Sequence, residues 1–264
     1  MSLQSQFKRF STRDIRRKKI EKTKLTMLTA YDATLGALVE RGGVDLILVG
    51  DSVGNTTLGY PNTIPVTLEA MLHHTAAVVR GTSRSMVILD LPFGTCTDPE
   101  TALRSSVRAL QEAGAQAVKL EGDESSAPTV RRLVAQGIPV MAHIGLLPQQ
   151  VHQLGGYPRF GKNSEQAQNL MRSALALQEA GAFAVVLECV EPQVAREISQ
   201  ALTIPTIGIG SGPDCDGQVL VLHDLIGLSL QPPPSFAIPK ARVAETIEQC
   251  VRDFVQDTQG CGHA

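Results

Sequence analysis

The sequence predicts a closed barrel of eight β/α units, and three observations carry that expectation. First, short continuous apolar runs alternate with helical stretches, the pattern of parallel strands buried on both faces. Leu46–Val49, Met86–Leu89, Val140–Ala142 and Ala184–Leu187 are such runs, and they stop at Gly50-Asp51, Asp90, His143 and Glu188. Second, a ten-residue αβ junction occurs twice. Glu112 to Glu121 recurs as Glu179 to Glu188, differing only at Gln116/Phe183 and Lys119/Val186. Each copy reads as a helix end, a glycine stop and a strand finishing in glutamate, and repeated units of this kind suit a barrel. Third, 264 residues lie near the roughly 250 usual for one such barrel, so a single catalytic domain over 1–264 is expected.

The elements follow in order. Between Lys8 and Lys24 the chain is rich in Lys and Arg. Ser2, Ser5, Ser11 and Thr12 give it some transit-peptide character, but Asp14 and Glu21 interrupt the charge. The preferred reading is a short basic helix capped by Ser11 or Thr12. It would present Ile15 and Ile20 on one side and close the barrel floor. Strand one is Leu25–Thr29, and Asp32 caps a helix stopped by Gly42-Gly43. Strand two, Asp45–Val49, runs into a loop containing Gly59, Pro61 and Pro65, and a helix spans Thr67–Arg80. Asp98-Pro99-Glu100 has the cap, first-turn proline and acidic first turn of a helix that runs to Ala113. The two repeat copies supply strands four and six. Ile138-Pro139 and Ile204-Pro205 open strands five and seven. The last unit is irregular. Val219–His223 is the expected eighth strand, yet Gly210–Gln218 is too short for a crossover helix. Pro232-Pro233-Pro234 is a loop, and Ala241–Val255 reads as a terminal helix.

Composition excludes several functions. A net charge of −2 and a pI near 6.3 provide no field for nucleic acid. No apolar run approaches the roughly 20 residues of a membrane helix. Five cysteines without CxxC spacing read as reduced thiols of a cytoplasmic protein, not as a disulfide framework or a zinc site.

Polar residues at the C-terminal ends of barrel strands converge on one mouth, where such barrels keep their active sites. Asp51, Asp90 and Glu121 end strands two, three and four. Three carboxylates without a Cys or His cluster suit a hard cation such as Mg²⁺. Pairing with lysines or helix capping is the structural alternative. Lys119 stands two residues before Glu121 and so shares its inward face. It would pair with Asp90 or Glu121; a Schiff-base role is chemically open but redundant beside a metal. Glu188 holds in its unit the place of Glu121, facing the metal site without joining it, which suits a general base. His143 reads as a substrate contact or as a hydrogen-bonded neighbour. The Gly208–Gly212 turn is either a phosphate site or a tight packing turn.

In this order the residues closely resemble the ketopantoate hydroxymethyltransferase family. The resemblance rests on Thr29-Ala30-Tyr31-Asp32, Val49-Gly50-Asp51-Ser52, Asp90-Leu91-Pro92-Phe93 and Val118–Gly122. It continues through His143–Gln149, Leu154–Tyr157, Leu187-Glu188-Cys189, Ile204–Gly210 and Asp216–Val221. It spans about residues 12 to 240, with Leu147 and Ser211 departing from the usual threonine and alanine. The resemblance implies a barrel of the phosphoenolpyruvate-mutase type and a cytoplasmic homo-oligomer, commonly a decamer. It also implies transfer of a one-carbon unit from 5,10-methylenetetrahydrofolate to 3-methyl-2-oxobutanoate, giving 2-dehydropantoate for pantothenate biosynthesis. Asp51, Asp90 and Glu121 would then hold Mg²⁺, and Glu188 would take the C3 proton. Lys119 would offset negative charge, while Ser52 and His143 would orient the substrate. A related Mg²⁺-dependent 2-oxoacid lyase or aldolase is the alternative among enzymes. A non-catalytic barrel scaffold is the alternative outside them.

Overall fold

A computed structural model of the protein describes residues 9–260. Ser2, Ser5, Lys8, Cys261 and His263 lie outside the described residues. Eight parallel strands close into one barrel in strict sequence order. They are β1 (Leu25–Thr29), β2 (Leu46–Val49), β3 (Met86–Asp90), β4 (Ala117–Glu121), β5 (Val140–Gly145), β6 (Ala184–Glu188), β7 (Thr206–Ile209) and β8 (Gly217–Leu220). The helices up to β8 are α1 (Thr12–Ile20), α2 (Ala33–Arg41), α3 (Val53–Thr56), α4 (Leu68–Gly81), α5 (Pro99–Gln111), α6 (Ala127–Val134), α7 (Val151–Leu154), α8 (Ser164–Glu179) and α9 (Pro192–Ala201).

Caps set the helix starts where short polar residues mark them. The Asp32 carboxylate accepts the Leu35 N–H at 2.8 Å, and Asp98 accepts those of Glu100 and Thr101 at 3.0 and 2.9 Å. The repeated glycine stops hold as expected: Gly114 and Gly181 both sit at positive φ, +74° and +103°, which a side chain would resist.

The barrel interior is built by residues two apart on each strand, as the strand period requires. Leu25 and Met27, Leu46 and Leu48, Met86 and Ile88, Met141, Ala184 and Val186, Ile207 and Val219 form one buried cluster. Ile15 of α1 joins it from below, so the basic helix does close the floor. Ile20, however, is 81% exposed. Five residues at about 100° each place it roughly 140° round the helix from Ile15, so one face cannot hold both.

The irregular end also differs in register from the expected strand. β8 starts at Gly217, pairing with Ile207, and the chain has left the sheet by His223. No helix lies between β7 and β8.

Among the described residues, those up to Val219 and those from Leu220 onward cluster as two compact units. Within the second, α10 (Leu222–Ile226) ends at Gly227, whose φ is +65°, and α11 (Val243–Gly260) follows. Its loop is tied by Lys240 N–H to Leu225 O at 2.7 Å and by Ala244 N–H to Gly227 O at 3.0 Å. None of the described helices is long and apolar enough to cross a membrane.

Candidate active site

The inward period that fills the barrel also builds its mouth. Continuing two residues beyond Ile88 gives Asp90, beyond Ala117 gives Lys119 and then Glu121, beyond Met141 gives His143, and beyond Val186 gives Glu188. Strand register sets neighbours: Asp90 lies beside Lys119, and Glu121 beside His143.

The Lys119 ammonium sits on both Asp90 oxygens, at 2.6 and 2.7 Å, with both side chains buried. Of the two pairings foreseen for Lys119, Asp90 is the one formed. Burial alone would lower the lysine pKa, but Asp90, Glu121 and Asp51 outweigh it and raise the value, so the ammonium stays charged.

Asp51 reaches the mouth by another route. Leu46 and Leu48 face inward, so Asp51 is out of phase, and it arrives through the turn after β2. Its amide points at Asp90 Oδ2, 3.4 Å away, and its carboxylate accepts Gln149 Nε2–H at 3.0 Å. Next to it, the Ser52 hydroxyl is 2.8 Å from the Tyr31 phenol. Burial and then the Asp90 charge push the Asp51 pKa up to about 7.

Glu121 Oε2 accepts the backbone N–H of Gln149 at 3.1 Å, whereas Oε1 is buried with no hydrogen bond. Burial holds this carboxyl well above the ordinary range. His143 lies between the two glutamates, with Nδ1 3.6 Å from Glu121 Oε1 and Nε2 3.3 Å from Glu188 Oε2. Burial and then the Lys119 charge push its pKa well down, so the ring is neutral. Glu188 rises to about 7 because it is buried, with Lys119 pulling the other way.

The backbone around Glu188 has little freedom. Cys189 adopts φ +49°, a region costly for a side chain. A Cβ on Gly145 would lie 2.3 Å from the Glu188 carbonyl oxygen. Ser211 is buried, accepting the Val190 N–H at 3.0 Å and donating to Leu187 O at 2.8 Å. The glycine-rich turn after β7 is therefore welded to the end of β6, in keeping with the tight-turn reading.

These residues and this barrel can be set against known proteins. A family model described as ketopantoate hydroxymethyltransferase matches residues 9–261. The chain belongs to this family. A 3-methyl-2-oxobutanoate hydroxymethyltransferase of Trichodesmium erythraeum (strain IMS101) is 53% identical over 232 residues, 87% of this chain and 88% of the relative. One of Chloroflexus aurantiacus (strain ATCC 29366 / DSM 635 / J-10-fl) is 51% identical over 251 residues, 95% and 89% of the two chains. The fold resembles phosphoenolpyruvate phosphomutase from Streptomyces platensis subsp. rosaceus, with a TM-score of 0.67, 15% identity and coverage of 94% and 88%. It also resembles 2,3-dimethylmalate lyase, a member of the PEP mutase/isocitrate lyase superfamily, with a TM-score of 0.60, 15% identity and coverage of 95% and 88%. The phosphoenolpyruvate-mutase type of barrel is thus the observed one, and family membership makes the chain a transferase.

At this mouth the donor chemistry fits a hard divalent cation, although no three His, Cys, Asp or Glu side chains among the described residues form a ready cage. Four carboxylates face one ammonium, every acidic donor is oxygen, and Glu121 Oε1 has no hydrogen bond. A cation held by one or two carboxylates, with water completing its shell, matches Mg²⁺.

Two site residues escape strand-end reasoning. Gln149 binds Asp51 Oδ2 and Leu91 O through its side chain, each at 3.0 Å, and Glu121 through its backbone. Tyr31 supports Ser52. Tyr31 lies in a loop and Gln149 in the single 3₁₀ turn Pro148–Gln150, where no strand period marks them; only their place in the quoted motifs could have pointed to them.

Proposed function

We propose that the chain transfers a hydroxymethyl group from 5,10-methylenetetrahydrofolate to 3-methyl-2-oxobutanoate, forming 2-dehydropantoate in pantothenate biosynthesis. The observation that carries this reading is Glu188. It is a carboxyl only 17% exposed, which burial pushes up to about 7, set across the mouth from the Asp51, Asp90 and Glu121 group. A base poised near the working pH is suited to removing a weakly acidic C–H proton.

On this reading Asp51 and Asp90 would hold Mg²⁺, with Glu121 contributing directly or through water, and the ion would supply Lewis acidity at the oxoacid carbonyl. Glu188 takes the C3 proton. Lys119, fixed on Asp90, offsets the negative charge that develops on the substrate oxygens. His143 stays neutral and, with the Ser52 backbone, orients the oxoacid. Carbon C3 then bonds to the folate-borne methylene carbon, both bonds from that carbon to the carrier's N5 and N10 break, and water provides the hydroxyl oxygen, while the C3 proton and one proton of the water end on the two nitrogens. Tetrahydrofolate leaves.

The catalytic domain on this reading is the whole chain, 1–264, acting in the cytoplasm as a homo-oligomer of the decameric kind. The α11 helix supports self-association, since Ile247, Val251, Phe254 and Val255 are all exposed at spacings that share a helix face.

The test is product formation from 3-methyl-2-oxobutanoate with Mg²⁺, with and without methylenetetrahydrofolate. Product that requires the folate supports the reading. Exchange of the C3 hydrogen with solvent, but no folate-dependent product, overturns the assigned electrophile.

A further inference from the structure

The turn that brings Asp51 to the mouth is braced from the end of β1 by a buried phenol. Tyr31 lies just beyond β1 and is only 2% exposed. Its stretch of backbone is held from both sides. The Ala30 N–H donates to Leu48 O at 3.2 Å, which ties the stretch to β2. From α4, His74 Nδ1 lies 2.7 Å from Tyr31 O; a carbonyl oxygen only accepts, so Nδ1 carries the proton. The ring thus reaches Ser52 from a backbone that is already fixed, and its phenol oxygen lies 2.8 Å from Ser52 Oγ.

The Ser52 hydroxyl is not spent on its own helix. A serine at the start of a helix ordinarily turns its oxygen to an amide of the first turn. Ser52 precedes α3 and makes no such bond. Its hydroxyl lies back over Gly50, where a Cβ would come within 2.9 Å of Oγ, and meets the phenol instead. The phenol is the stronger acid of the two and the better donor, so the serine proton is left for a second acceptor. A 2-oxoacid offers only acceptors at that end, its keto and carboxylate oxygens.

We infer that Tyr31 is a positioning residue for the oxoacid, aiming the Ser52 hydroxyl at a substrate oxygen. The inference rests on the proposed reaction. Phenol, serine hydroxyl and substrate oxygen form a row of hydrogen bonds pointing one way, in which each bond strengthens the next. Tyr31 acts on binding, through Ser52, and takes no part in removing the C3 proton, which falls to Glu188.

The test is calorimetry of 3-methyl-2-oxobutanoate with Mg²⁺ present, on wild type, Tyr31→Phe, Ser52→Ala and the double variant. Beside it runs the saturated rate of C3 hydrogen exchange in D₂O without folate. Tyr31→Phe keeps the ring in its slot and should weaken the oxoacid about three- to tenfold, the range of one hydrogen bond. Ser52→Ala should weaken it at least as much. The double variant should match Ser52→Ala within about twofold, because residues that act through one another are not additive. The saturated exchange rate of Tyr31→Phe should stay within about twofold of wild type. Unchanged affinity in Tyr31→Phe overturns the assignment, and so do losses that multiply in the double variant. A saturated rate that falls in step with affinity overturns it too, since the phenol would then support the whole mouth. Wild type that binds the oxoacid without exchanging its hydrogen overturns the proposed reaction alone, and the binding cycle still decides the role of Tyr31. Wild type that binds no oxoacid overturns both.

Discussion

The two ends of the barrel handle charge in opposite ways. At the floor, α1 brings two ammonium groups to two carboxylates. Lys18 meets both Asp45 oxygens at 2.7 Å, and Lys19 meets Asp216 at 2.8 Å. The same carboxylates also accept backbone amides, Asp45 from Thr26 at 2.9 Å and Asp216 from Thr206 at 2.8 Å. Each of these four groups has a partner of opposite sign. At the mouth, Lys119 alone faces Asp51, Asp90, Glu121 and Glu188, and one oxygen of Glu121 has no hydrogen bond. Unpaired buried charge is costly, and on the proposed reading an incoming ion and substrate complete the set. Balanced charge seals one end, and unbalanced charge is kept for chemistry at the other.

The sharpest way to break this comparison is to remove the base. Glu188→Gln keeps the shape of the side chain and removes its basicity. Folate-independent exchange of the C3 hydrogen in D₂O should fall by about 10²- to 10⁴-fold, the usual contribution of a general base. The pH profile supplies the sign. The carboxyl must be ionised to accept a proton, so wild-type exchange should rise with pH through about 7, where burial has placed Glu188. That limb should vanish in Glu188→Gln. Exchange at the wild-type rate in the variant would move the base to His143 or Lys119.

Gln149 sharpens the comparison from inside the mouth, because it is the neutral link between two like-charged carboxylates. Removing it with Gln149→Ala takes a hydrogen bond from Asp51 while leaving the backbone bond to Glu121. The expectation is a 10- to 100-fold loss of Mg²⁺ affinity, as for other residues that orient metal ligands, with the melting temperature nearly unchanged. Magnesium titration calorimetry on the variant decides it. Wild-type affinity would make Gln149 only a loop anchor.

What the sequence shows of all this depends on whether a residue obeys a period. Asp90, Lys119, Glu121, His143 and Glu188 continue the inward rows begun by Ile88, Ala117, Met141 and Val186, so their convergence follows from strand geometry. Asp51 is out of phase with Leu48 and enters the mouth only through a turn; the apolar run before it gave its position, not its direction. Gln149 sits on the short 3₁₀ turn Pro148–Gln150, and its place in the mouth is set by long-range hydrogen bonds to Asp51 and to Leu91 O, which no local pattern encodes. The same limit explains β8. Val219 to His223 carries a strand-like apolar run, but pairing with β7 fixes the strand at Gly217, and a helix takes Leu222 and His223.

The smallest expected effect lies at the floor, and it tests whether the two ends are independent. Lys19→Met keeps the stem that packs along α1 and removes the charge from Asp216. Asp216 is partly solvated and still accepts Thr206 N–H and Oγ–H, so the loss should be no more than about 1 kcal/mol of stability by denaturant titration. Exchange of the C3 hydrogen should be unaltered, because the buried cluster from Leu25 to Val219 lies between this pair and Glu188. A variant whose exchange rate falls in step with its stability would show that floor pairing helps set the geometry of the mouth. In that case the separation between sealing charge and working charge fails.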